Sequence, residues 1–199
     1  MTTYALPSIT PNETSIDIVS NTEQFVSPFN GAIQTIDRGG ERLVMRLVYR
    51  NLKGDDKAEM VGFLAKMNGM QHRVTAYNHA ESNRGSFGGT PLVAGAGQTG
   101  NSLNVDGCSN NITNWIRSGD FFSVNGELKI CTADASSDGS GDITISFSPR
   151  LRSAPSDNAA LTTTQGTGTF ILGEDTSTWT NRPNGFGDFS LILVEDIAA

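Results

Sequence analysis

ERLVMRLVYRNLKGDDKAEMVGFLAKMNGM, residues 41–70, contains a switch between two hydrophobic periods, and that switch decides the fold class. In the first ten residues Leu43, Met45, Leu47 and Tyr49 share one face. Val44 and Val48 share the other with Arg46 and Arg50. A period of two predicts a strand. Further on, Met60, Phe63, Leu64 and Met67 fall at i, i+3, i+4 and i+7, which predicts an amphipathic helix. Asp56 with Glu59 fits a capping box at its start, and Gly69 after Asn68 supplies a stop. A helix of about 13 residues gains little from propensity alone, so it must lie on a sheet. The apolar face of 41–50 is the expected partner.

Outward from this unit the chain reads as β-structure. The first 25 residues are polar, interrupted by Pro7 and Pro11, and predict an extended arm or an edge strand. SPFNGAIQTIDRGG (27–40) carries the turn pair Asn30-Gly31, a short run ending at Ile36, and a second turn at Gly39-Gly40. HRVTAYN (72–78) reads as a strand. The stretch 81–104 is rich in Gly, Ser and Thr and marks a change of unit. Beyond it, Phe121–Val124, the pair Asn125-Gly126 and the run 127–132 form a compact hairpin pattern. ITISF (143–147) alternates Ile143, Ile145 and Phe147 with Thr144 and Ser146. The resulting expectation is a small barrel of four to six strands over 91–165. GTFIL (168–172) and FGDFSLILVEDI (186–197) return to longer strands. They are expected to rejoin the first unit, so that 1–90 and 166–199 form one discontinuous domain and 91–165 an insertion.

Composition narrows the function classes. The chain has 199 residues, 22 of them glycine, and a net charge of −7. Its 14 basic residues are scattered, which argues against neutralising a phosphate backbone. An acidic surface repels DNA, a useful property if DNA must slide past. No apolar run approaches the roughly 18 residues of a membrane span. MTTYALPSITPNE lacks the basic start and apolar core of a signal peptide. Cys108 and Cys131 are expected to be reduced thiols rather than a disulfide framework.

Several motifs invite chemistry. CTADASSDGSGDITISF (131–147) spaces Asp134, Asp138 and Asp142 around Gly139 and Gly141, resembling a calcium loop that starts at Asp134. Ile145 stands at position 12, where a bidentate Glu is needed, and strand-like residues flank the stretch in place of helices. A hairpin loop is therefore the expected structure, and a loosely bound cation the competing one. GTPLVAGAGQTGN (89–101) lacks the Gly-Lys-Ser/Thr ending of a phosphate loop. The paired acids Glu174-Asp175 and Glu195-Asp196 read as solvated loop charge. His72 and His79 have no nucleophile motif beside them. The residues thus give no catalytic, cofactor or metal site. Trp115 and Trp179 can serve a core, a subunit interface or a stacked glycan.

SPFNGAIQTIDRGGERLVMRLVY followed by a helix with Ala58 and Phe63-Leu64 resembles the opening of distal tail proteins and related baseplate proteins of long-tailed bacteriophages. GQTGNSLNVDG, the IRSGDFFSVNGEL hairpin, TADASSDGSGD and ISFSPRLRSAP are similar to the insertion module of the same proteins. The resemblance runs over 24–196. It departs where the family has aromatic pairs near Arg42 and Leu43, and an aromatic run near 72–77.

The resemblance implies a mainly β fold with one α-helix. Its belt domain would be a tail-tube-like β-sandwich or split barrel plus helix, carrying an inserted small β-barrel. It further implies a structural virion protein without catalysis and without cofactors. Such a protein forms a hexameric ring at the tail tip, around the DNA channel. A tail tube protein lies above, a baseplate hub protein below, and tail fibres attach at the side. The polar arm and the long C-terminal strands are expected to join neighbours by strand addition. The alternatives are a carbohydrate-binding β-module using Trp115 or Trp179, a tail tube protein, and, weakest, a hydrolase.

Overall fold

The computed structural model describes residues 1–80 and 82–197. The first strands are β1 (Thr3–Ala5), β2 (Glu13–Val19), β3 (Thr22–Val26), β4 (Ile33–Asp37) and β5 (Arg42–Leu52), followed by helix α1 (Asp55–Met67) and β6 (Arg73–Tyr77). Next come β7 (Gly89–Val93), β8 (Ser102–Cys108), β9 (Phe121–Val124), β10 (Glu127–Cys131), β11 (Ile143–Ser148) and β12 (Leu161–Thr162). The chain ends with β13 (Thr167–Leu172), β14 (Trp179–Asn181) and β15 (Gly187–Glu195). It is a mainly β protein with one α-helix, a mixed sheet and a separate, nearly closed six-stranded antiparallel barrel.

The mixed sheet runs β1-β6-β13-β15-β5-β2, with β14 also on β15. Among the described strands only the β1–β6 pair is parallel. The alternation read in 41–50 is realised: Leu43, Met45, Leu47 and Tyr49 are fully buried. Opposite them on the same face lie Phe189, Leu191 and Leu193 of β15, each almost fully buried. Helix α1 covers this face with Met60, Phe63, Leu64 and Met67. Its ends differ from expectation. Gly54, at φ +60, precedes the helix, and no side chain caps it, so Asp56 and Glu59 form no capping box. Asp55 and Asp56 instead place negative charge in the first turn, where the helix dipole favours it. Asn68, left-handed at φ +48, ends the helix one residue before Gly69.

The N-terminal segment is not a free arm. β1 occupies one edge of the sheet and β2 the other. Tyr4, Leu6, Ile9 and Ile16 pack against the core. The C-terminal strand β15 is central, paired with β5 on one side and with β13 and β14 on the other. It has no side left for adding a neighbour's strand, whereas the outer side of β2 pairs with no described strand.

The barrel follows the order β12-β9-β10-β11-β8-β7. It closes where Val93 N donates to Ala159 O at 2.9 Å and Asn158 N donates to Val93 O at 2.9 Å. Its core holds Leu103, Val105, Trp115, Phe122, Val124, Ile143, Ile145 and Phe147. The Gly-rich stretch 81–104 therefore supplies β7 and the start of β8 as well as a linker. Leu103 and Val105 alternate with polar residues over too short a span to stand out. The Asn125-Gly126 turn forms as expected, with φ +54 and +76.

Barrel and sheet share a wall. In β10, Lys129 and Cys131 face the barrel side, while Leu128 and Ile130 contribute to the core of the sheet, as does Phe121 of β9. β13 lies close to this wall: a Cβ on Gly168 would stand 2.9 Å from the Leu128 Cβ. Only glycine allows that approach without displacement.

Candidate interaction surfaces

The exposed apolar surface is concentrated in one place. β3 and β4 form a two-stranded hairpin outside both sheets. Val26 and Ile33 lie opposite each other on one face, and Phe25 and Ile36 are on the other. All four are exposed, Ile33 by 63%, so neither face is covered. Phe29 projects from the tip at 97% exposure. The tip is ordered by its own chemistry. Asn30 Oδ1 accepts the Ala32 N–H at 3.1 Å, and Gly31 takes φ +68. At the base, Asn21 Nδ2 donates to Gly39 O at 2.7 Å, and Arg38 pairs with Glu23. The hairpin leaves the sheet directly after the open edge strand β2, whose Ile18 and Val19 are also exposed.

A cleft of about 540 Å³ opens beside β14. Leu64, Leu172, Trp179, Phe189 and Leu191 supply apolar wall, and Arg182 and Asp188 polar wall. The Trp179 ring stacks on Phe189 at 6.3 Å and 16°, leaving Trp179 38% exposed. Asp188 pairs with Arg182 and accepts the Asn51 N–H at 2.8 Å. Trp115, in contrast, is fully buried and donates its Nε1–H to Gly88 O at 3.0 Å. Burial removes it from any glycan contact.

Two of the three aspartates of the glycine-rich loop, Asp134 and Asp138, serve the backbone with their carboxylates. Asp138 Oδ1 accepts the N–H groups of Ser140 at 2.8 Å and Asp142 at 2.9 Å, which holds its carboxyl below the usual carboxylate range. Asp134 Oδ1 accepts the Ser118 N–H at 2.8 Å. Among the described residues no three His, Cys, Asp or Glu side chains gather as a metal group. The loop is a turn between β10 and β11. Cys108 and Cys131 are buried and unbonded, and burial pushes the Cys108 thiol up to about 12 and raises that of Cys131.

One sequence reading is overturned. Glu195 and Asp196 are not solvated. Glu195 is 3% exposed, accepts the Leu43 N–H at 2.9 Å and lies 3.7 Å from Arg152. Asp196 pairs with Arg73. Lys129 belongs to the same neighbourhood: fully buried, it contacts Glu127 at 2.7 Å and donates to Arg150 O at 2.9 Å. Sequence gave no sign of this cluster because its members come from β10, the 150–152 turn and the end of β15. Desolvation raises Glu195 and lowers Lys129.

No protein-family model matches the chain, and no curated protein is significantly similar to it.

Proposed function

We propose that the chain is a structural subunit of a ring at the tip of a long bacteriophage tail, built by heterologous contact between copies. The β3–β4 hairpin carries this reading. An isolated two-stranded hairpin is marginal in water, and this one bears apolar side chains on both faces with nothing covering them. A neighbouring copy offers suitable cover: the Trp179 cleft is large enough for an aromatic side chain such as Phe29 and is lined by Leu64, Leu172 and Phe189. A contact between two different patches of one subunit closes into a ring when its rotation permits. The open side of β2 adds backbone groups at the same margin. The net charge of −7 suits a channel wall that DNA passes without sticking. The sequence resemblance supplies the place in the virion, with a tail tube protein above and a hub protein below.

Native mass spectrometry with negative-stain imaging tests the reading. The expected result is a closed ring of about six copies, formed by head-to-tail contacts, or a ring nucleated by the tube protein. A chain that remains monomeric at high concentration, both alone and with its virion neighbours, overturns it.

A further inference from the structure

The β3–β4 hairpin joins the sheet through two short links, 20–21 and 38–41. We propose that the barrel sets the angle at which this hairpin projects, through Arg150 in the turn after β11. The effect on assembly rests on the ring reading above; the contact itself does not.

The hairpin has little else to hold it. Among the described residues, no side chain of 20–38 belongs to either core, and none of these residues is fully buried. β3 and β4 pair only with each other. The second link contains Gly39 and Gly40, left-handed at φ +68 and +80. Adjacent glycines leave the backbone with the fewest steric restraints, so this link is a natural hinge. Two bonds cross the base: Arg38 N donates to Asn21 O at 2.9 Å, and Asn21 Nδ2 donates to Gly39 O at 2.7 Å. They tie the two links to each other, and neither reaches the barrel.

The barrel grips this hinge at two points. Arg150 N donates to Glu41 Oε1 at 2.6 Å, at the end of the link. The Arg150 side chain reaches over Gly39, where an added Cβ would fall on the guanidinium. Gly39 is the first buried residue after the hairpin, whereas Arg150 itself is exposed. That guanidinium forms no ion pair or hydrogen bond among the described residues, so it acts by occupying space. The turn that carries it is anchored in the barrel. Leu151 N donates to Gly100 O at 2.9 Å, Lys129 Nζ donates to Arg150 O at 2.9 Å, and Glu127 Oε2 accepts the Arg152 N–H at 3.0 Å. Lys129 and Glu127 are buried, and a satisfied buried network is rigid. A side chain held on a rigid turn against a two-glycine link stops the hinge from swinging. A free hairpin would spread over many angles, and its affinity for a neighbour would fall by the fraction of chains in the competent pose.

Pulsed electron paramagnetic resonance tests this, with spin labels at Gln34→Cys on β4 and Ser146→Cys on β11. Both positions are exposed, and neither side chain makes a hydrogen bond among the described residues. Mass spectrometry confirms that only the introduced thiols carry label. The chain also carries Phe29→Asp and is studied where sedimentation shows single copies, so that no neighbour holds the hairpin. A narrow distance distribution is expected with Arg150 present, and one about twofold broader in Arg150→Ala, as when a held segment becomes a mobile loop. Gly39→Asn should broaden it likewise, because Asn accepts the left-handed backbone while its Cβ displaces the guanidinium. The urea midpoint of both variants should stay near the parent value, since neither residue belongs to a core. A distribution that stays narrow in Arg150→Ala, or is already broad with Arg150 present, overturns the proposal. So does a fall in urea midpoint without broadening, which makes Arg150 a stabilising contact and nothing more. If Arg150→Ala fails to fold, Gly39→Asn decides by the same readings. Absence of rings in the parent chain leaves these distances unchanged and bears on the ring reading alone.

Discussion

Lys129 is fully buried, and Glu127 at 2.7 Å is its only anionic contact within bonding distance among the described residues. A buried charge that loses its partner costs about 3–5 kcal/mol, whereas an apolar replacement of both partners is often neutral. Urea titration of Glu127→Leu should therefore show a loss of that order, and adding Lys129→Met should recover most of it. Glu195 gives a pH signature. Its folded pKa lies above the ordinary 4.5, so the folded state holds the proton more tightly than the unfolded chain. Its contribution is thus greatest at low pH and declines as pH rises through the folded value. Urea midpoints measured across that window should fall less steeply in Glu195→Gln. The thiols make a third expectation at this scale. With Cys108 pushed up to about 12 and Cys131 raised, neither should react with a thiol reagent at neutral pH until the protein unfolds.

Helix α1 and strand β5 show what a sequence reading captures at the level of elements. Both were legible because each is long enough to repeat its period and buries one face only, with Leu43, Met45, Leu47 and Tyr49 against Met60, Phe63, Leu64 and Met67. Phe63→Ala should cost about 3–5 kcal/mol, the usual range for a truncated core aromatic, read from the thermal or urea midpoint. Shorter elements were less visible. β3 mixes Thr, Glu and Gln with Phe25 and Val26 because it has no core to face. β7 and β8 sit among glycines, and the capping box failed because backbone geometry at Gly54 started the helix instead. The interaction surfaces divide in the same way. The exposed Trp179 was a candidate in the sequence; the hairpin tip at Phe29 was not, since 27–40 read there only as two turns around a short run.

The assembly prediction belongs to the whole molecule. Phe29→Asp should abolish or greatly weaken self-association, measured by sedimentation. It should leave the unfolding free energy of the dissociated chain within about 0.5 kcal/mol of the parent, because the residue touches no core. Removing the first nineteen residues is a different perturbation: it strips strands from both edges of the sheet and should destabilise the monomer itself. The shared wall of β9 and β10 has a consequence for any attempt to treat the barrel as a portable module. Leu128, Ile130 and Phe121 work for the core on the far side. A fragment cut at the linkers would carry an unsheltered greasy flank and invite aggregation. A graft of this barrel onto another scaffold would need a host surface that fits the flank, with a glycine or a matching hollow where Gly168 now lies.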